Sequence, residues 1–234
     1  ELLSQAREAS GDRVVTFELI LRLPMEFGLR HIPDVRDPMA TPHDFYVLFE
    51  IASSQTGNDM RGVMESTLAD AMESGLVLDG VIAESGAQAE DFWRIRETLP
   101  EAQKYEGISI KHDIAVPVSR VADFMEQASA QVEKAVPGIR ICAFGHVGDG
   151  NMHFNLAQPE GADGPAYKAR QEEINRLVHD VVTSMGGSIS AEHGIGRLRK
   201  EELAHYGSDI GLDLMRRIKA TLDPDSLMNP GKVI

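Results

Sequence analysis

With 234 residues, 42 % of them apolar, the chain can enclose a sizeable core in one large or two small domains, and its composition argues against disorder. Its 37 acidic residues outweigh 23 basic ones, for a net charge of -14, which opposes binding to nucleic acid or anionic lipid and leaves a small anionic substrate only locally placed cations. The single Cys142 excludes an internal disulfide and suits a reducing compartment, so a cytoplasmic location is expected, with this thiol in buried strand packing.

No stretch approaches the roughly 18 to 20 apolar residues of a membrane span, and no signal-peptide pattern opens the chain. It starts at Glu1 directly in polar helical sequence, which suggests a piece of a longer polypeptide. Residues 12–23 begin with β-formers and then meet Pro24, while Phe45 to Ile51 is a denser strand candidate, expected to be buried on both faces. Between them, Ile32 to His43 holds three prolines and reads as a loop. Met60 to Gly75 has helical spacing, with Met64, Leu68, Ala71 and Met72 on one face and Gly75 just past the end. A strand over Val77 to Ala83 follows, then a short helix from Asp91 to Leu99 halted by Pro100, and a strand from Ser109 to Val116.

Ser119 is placed to cap an amphipathic helix running to Ala135, and Ile139 to Asn155 reads as a hairpin. From Ala166 to Met185 the set Ile174, Leu177, Val178, Val181, Val182 and Met185 forms one helical stripe, ended by Gly186-Gly187. Ser188 to Ala191 reads as a short strand and Leu198 to Leu222 as helix. Strands alternating with helices but joined by a hairpin predict an α+β fold: a ferredoxin-like antiparallel sheet with helices on one face, followed by a mostly helical C-terminal segment.

The chemistry concentrates in two segments. In Gly145-His146-Val147-Gly148-Asp149-Gly150-Asn151-Met152-His153-Phe154-Asn155, the Asp149-Gly150 pair asks for a two-residue type I′ turn. That turn sets His146 opposite His153, Phe144 opposite Asn155 and Gly148 opposite Asn151 on one face, with facing Cβ atoms about 4.5 to 5.5 Å apart. Some forty residues on, Ser190-Ala191-Glu192-His193-Gly194-Ile195-Gly196 offers a carboxylate to complete a two-histidine, one-carboxylate set of His146, His153 and Glu192, as in many catalytic zinc sites with an open position. The bland alternative is a pair of hydrated surface histidines. His193, pointing away from its neighbour, could act as a general base, or simply bond the backbone of a turn. Arg96 and Lys111 are the candidate cations for a substrate carboxylate; either could equally be a solvated surface charge.

Together these segments resemble the C-terminal domain of the FAD-linked oxidases and dehydrogenases of D-2-hydroxy acids, a family that includes D-lactate dehydrogenase, D-2-hydroxyglutarate dehydrogenase and the glycolate oxidase flavin subunit. The resemblance rests on Phe17-Glu18-Leu19, His31-Ile32-Pro33, Lys111-His112-Asp113-Ile114-Ala115-Val116-Pro117, the hairpin, Ala191-Glu192-His193-Gly194-Ile195-Gly196 and Asn229-Pro230-Gly231-Lys232, and covers nearly the whole chain. It implies a divalent metal, usually zinc, on His146, His153 and Glu192, with His193 as base. It further implies Arg96 and Lys111 on the substrate carboxylate and Asn155 beside substrate or metal, with Asn229 and Lys232 toward the FAD. Where the 2-hydroxyglutarate enzymes carry a hydroxyl residue four positions after the arginine, this chain has Pro100.

The resemblance also implies that residues 1–234 form the substrate and cap domain, with 188–234 facing the flavin. The FAD would sit mainly on an N-terminal FAD-binding domain absent from this chain, and the fragment alone is expected to be inactive. A small 2-hydroxy acid would be the substrate, and a quinone, an electron-transfer flavoprotein or oxygen the electron acceptor; a homodimer stays open. Two other classes remain at this point: a zinc hydrolase using Glu192 or His193 as base, and a metal-stabilised interaction module without catalysis.

Overall fold

A computed structural model describes all residues 1–234. Nine α-helices surround one antiparallel sheet, so the α+β class and the mostly helical C-terminal segment are both present. The strands are β1 (Val14–Leu21), β2 (Phe45–Ile51), β3 (Ser109–Ile110), β4 (Asp113–Ala115), β5 (Arg140–His146) and β6 (Asn151–Ala157), in the order β2-β1-β5-β6-β3 with β4 also on β6. The pairs Ile110↔Leu156 and Asp113↔His153 share one register, so β3 and β4 are two ends of the strand expected from Ser109 to Val116.

Successive side chains of a strand point to opposite faces, and here both faces are used. On one, Ala143 of β5 and Met152, Phe154 and Leu156 of β6 meet α5 (Val121–Ala135) and α7 (Gln171–Ser184) in a core of 20 buried residues. Phe124 and Phe154 meet there edge to face, with ring centres 5.3 Å apart. On the other face, Cys142 and Phe144 are covered by α2 (Arg22–His31) and α4 (Gly86–Ala102) through Met25, Phe27, Ile95 and Leu99. The uncovered end of this second face carries the polar residues of interest. Burial pushes the Cys142 thiol up to about 12, in keeping with a packing role.

Several expectations need correction. Phe45–Ile51 is the edge strand, with Phe45 61 % exposed, because an apolar run looks alike whether one or both faces are covered. Val77 to Ala83 pairs with nothing and connects α3 (Met60–Glu73) to α4, with Leu78 turned to solvent. Helix α4 starts five residues before Asp91, capped by the Ser85 hydroxyl, and runs through Pro100, which in a last turn omits only one backbone bond. Ser119 caps nothing; residues 118–120 form a single 3-10 turn ahead of α5. The helix expected over Ala166 to Met185 is split at Arg170 into α6 (Gly164–Ala169) and α7.

The segment Leu198 to Leu222 is divided into α8 (Lys200–Tyr206) and α9 (Asp209–Leu222), where the Ser208 hydroxyl caps a new helix. Ser188 to Ala191 makes one bridge, Ala115↔Ser188, in place of a strand. Helix α2, with Pro24 at its third position, went unforeseen. No helix is long and apolar enough to cross a membrane.

Candidate metal and substrate site

The hairpin that begins the site has a different register from the one expected. Phe144, not His146, faces His153, and Cys142, not Phe144, faces Asn155. The turn has four residues, 147–150, and of these only Gly150 has positive φ (82°), so no type I′ turn forms at Asp149-Gly150. Tertiary bonds explain the change. The Asp149 carboxylate accepts the Asn151 N–H at 3.0 Å, and Gly150 is clamped against β4, its carbonyl accepting the Val116 N–H at 3.1 Å.

The slip is two residues, and an even slip keeps every side chain on its face. His146 and His153 therefore remain together as diagonal neighbours, ring centres 5.7 Å apart.

Glu192 lies between them. Its Oε1 is 3.4 Å from His146 Nε2 and its Oε2 is 3.7 Å from His153 Nε2. Tetrahedral zinc with bonds of about 2.0 to 2.2 Å places neighbouring ligand atoms roughly 3.4 Å apart, so the spacing fits an ion. Protonation fits as well. Glu18, 3 % exposed in mid-strand, accepts from His146 Nδ1 and so leaves Nε2 with its lone pair toward Glu192. Burial, with Arg96 nearby, holds the His153 pKa below the ordinary histidine value against the opposite pull of Asp113 and Glu192, which keeps that ring neutral and able to bind a cation.

The ligand-type atoms of Asp113, His153, Glu192 and His193 all lie within 4.8 Å of one another; His146 stands outside that group. The His193 ring stacks on His153 at 5.9 Å, with Nδ1 3.5 Å from Asp113 Oδ2. Glu192 and His193 are 48 % and 61 % exposed. Beside them opens a cleft of about 340 Å³ bounded by Glu18, His146, Glu192, Asp149 and Arg7.

Arg96, buried on α4, is brought to the site, but it is not a free cation. Its Nε donates to Glu18 Oε2 at 2.6 Å, its guanidinium covers the Phe144 ring at 4.7 Å, and one Nη comes within 3.4 Å of His146 Nε2. Asn155 is buried on the same face, and the register shared by β3 and β4 places Lys111, exposed, beside it. Asn229 and Lys232 lie in an exposed turn whose following residue, Val233, donates its N–H to the Gly196 carbonyl at 2.8 Å. The C-terminal turn thus rests against the glycine loop after His193. Sequence reasoning overlooked Glu18 and Asp113 as parts of the site; for Glu18 the available signal was a lone carboxylate inside a largely apolar strand, whereas Asp113 follows Lys111 and His112 and carried no such signal.

These observations define an α+β domain with a cluster of metal-ligand residue types at the open end of its sheet. The family described as FAD linked oxidases, C-terminal domain, matches residues 1–233, and the chain belongs to it. It is 34 % identical over its whole length to a probable mitochondrial D-2-hydroxyglutarate dehydrogenase of Oryza sativa subsp. indica, covering 40 % of that protein. It is 35 % identical over 94 % of its length to a D-2-hydroxyglutarate dehydrogenase of Xanthomonas citri pv. viticola, covering 46 % of it, and 30 % identical over 96 % of its length to the mitochondrial enzyme of Rattus norvegicus, covering 40 %. The chain therefore spans less than half the length of these relatives.

Proposed function

We propose that residues 1–234 form the substrate- and metal-binding domain of an FAD-dependent dehydrogenase that oxidises a D-2-hydroxy acid, D-2-hydroxyglutarate foremost, to the 2-oxo acid. The observation that carries this reading is the Glu192 carboxylate poised between the Nε2 atoms of His146 and His153 at 3.4 and 3.7 Å, in a chain of the FAD-linked oxidase family. His146, His153 and Glu192 would hold a divalent ion; zinc is the default, although manganese, cobalt and iron accept the same donors. Such an ion supplies Lewis acidity that lowers the pKa of the substrate hydroxyl, while FAD supplies the hydride acceptor.

The chain's own residues do the rest. His193, exposed beside Glu192, takes the hydroxyl proton. The Nη edge of Arg96, left over from its bond to Glu18, and the Lys111 ammonium orient the carboxylate, and Asn155 lies on the same face to accept or donate to the substrate. With Pro100 exposed on α4, a second carboxylate has no hydroxyl at that position and depends on these cations. The FAD-binding domain implied by the family would dock on residues 188–234. There, α9 exposes the stripe Ile210, Leu214, Ile218 and Leu222, spaced every four residues, with Asn229 and Lys232 beyond it.

The test is dye reduction by the full-length protein with D-2-hydroxyglutarate, D-lactate and glycolate, before and after chelation and with zinc, manganese or cobalt added back. Activity lost on chelation and restored by one ion, together with loss of bound metal in His146→Ala and His153→Ala, supports the reading. Full activity in protein shown by mass spectrometry to be metal-free overturns its metal part; no turnover of any 2-hydroxy acid by the flavin-loaded protein overturns its substrate part.

A further inference from the structure

Glu192 and His193 sit on a loop with little else to hold them. Their side chains are half exposed, and Gly194 and Gly196, both at positive φ, leave the chain beyond them free to bend. Up to this point the segment is zipped to β4 by main-chain bonds: Ser188 N–H to Ala115 O at 2.7 Å, Ala115 N–H to Ser188 O at 3.0 Å and Ala191 N–H to Asp113 O at 3.1 Å. There the backbone ladder stops, and the Asp113 side chain takes over. Its Oδ2 accepts the N–H of Glu192 at 2.9 Å and the N–H of His193 at 2.7 Å, while Oδ1 accepts Asn151 Nδ2 at 2.9 Å.

We propose that Asp113 is the anchor that holds the Glu192-His193 pair in position, a positioning residue and not a ligand of the metal, although its oxygens lie within ligand distance of the cluster. This rests on the metal site described above. Asp113 is 1 % exposed, and three donors already occupy most of the four or so acceptor positions of a carboxylate. Both positions of Oδ2 are taken by the N–H groups whose bonds put Glu192 where an ion needs it, and Oδ1 is engaged by the Asn151 amide. Two consecutive backbone N–H groups converging on one anion fix the path of both residues at once, so a single side chain sets the aim of ligand and base together.

The test compares Asp113→Asn, Asp113→Ala and Glu192→Gln. Asparagine keeps an oxygen for the two N–H groups, and Asn151, whose buried Oδ1 has no partner, can turn to receive the new amide. Hydrogen exchange of metal-free protein, read by mass spectrometry over residues 188–197, should quicken about tenfold or more at Glu192 and His193 in Asp113→Ala and stay near wild type in Asp113→Asn. With cobalt(II), Asp113→Asn should keep the wild-type visible bands with affinity lowered by no more than about 10- to 100-fold, whereas Glu192→Gln changes the bands. Adding Asp113→Ala to Glu192→Gln should cost little further affinity, since the anchor acts through Glu192.

Wild-type exchange rates at 192 and 193 in Asp113→Ala, or cobalt bands altered in Asp113→Asn as in Glu192→Gln, would overturn the proposal. A wild-type protein that takes up no cobalt would instead sink the metal reading, and the exchange rates alone would still decide the anchoring. Should Asp113→Ala fail to fold, Asp113→Asn decides through its bands and its exchange.

Discussion

Glu18→Gln separates the two jobs of a buried carboxylate. Glu18 holds Arg96 through Oε2 and His146 Nδ1 through Oε1, with the side chains of Glu18 and Arg96 only 3 % and 9 % exposed, so solvent screens little of the pair. Glutamine has one acceptor oxygen. If that oxygen keeps Arg96, the amide NH₂ faces His146 Nδ1, which must then accept, and the ring proton moves to Nε2, the nitrogen aimed at Glu192. Removing a carboxylate partner of a metal-binding histidine typically costs 10- to 100-fold in affinity, about 1.4 to 2.7 kcal/mol. Loss of the charge on the Arg96 bond adds a destabilisation of about 1 to 3 kcal/mol, whereas Glu18→Ala, which strands the guanidinium, should cost about 3 to 5 kcal/mol. Zinc titration calorimetry reads the first effect, and urea unfolding of the metal-free protein the second. Zinc affinity within about twofold of wild type in a folded Glu18→Gln protein would refute the tautomer argument.

Acid should destabilise the metal-free protein ahead of any carboxylate titration. Burial holds His112 down to about 3, and burial likewise lowers His153 and His179, so the unfolded chain binds more protons than the native one as pH falls below about 6.5. Their contribution is present in full above that value and is lost on descent through each folded pKa, at about 1.4 kcal/mol per pH unit per histidine. Urea midpoints taken between pH 7.5 and 5 should fall, and less steeply in His112→Gln; a flat profile would contradict the assignment. Gly150→Ala should lower stability by roughly 2 to 4 kcal/mol and weaken zinc binding with it, because the residue has φ 82° and an added Cβ would come within 2.0 Å of the Val116 carbonyl. Wild-type unfolding and zinc affinity in that variant would show the turn to be more pliable than its packing indicates.

What the sequence disclosed follows from period and parity. Alternation along Arg140–His146 and Asn151–Ala157 puts both histidines on one face for any turn of even length, so a register misjudged by two residues still yields the right pair. The helical stripe through Ile174, Val178, Val181 and Val182 is buried as its spacing requires. Register itself was not legible, because it is set by bonds to Val116 and Phe17, distant in the chain. The same applies to the Glu18 contact with His146, which spans 128 positions, and to the edge position of β2, since neighbours in a sheet leave no mark on the strand they cover. Helix breaks at Arg170 and Gly207-Ser208 were hidden by apolar spacing that continues across them.

The site is built from parts of unequal stiffness, and this decides which substitutions can be told apart. His146 and His153 belong to adjacent strands, so their separation is held by the ladder and by the core beneath it, and His153 is only 14 % exposed. Glu192 and His193 depend on a few bonds to β4 and face outward, on a loop that the C-terminal turn touches only through the Val233 N–H to Gly196 O bond. A change in the hairpin should therefore lower stability and metal affinity together, as is expected of Gly150→Ala. A change in the loop should abolish the proposed metal binding while leaving the unfolding midpoint of the metal-free protein where it was. If Glu192→Gln lowered that midpoint as much as Gly150→Ala, the loop would be part of the cooperative core, and the division between rigid strands and a dependent loop would be wrong.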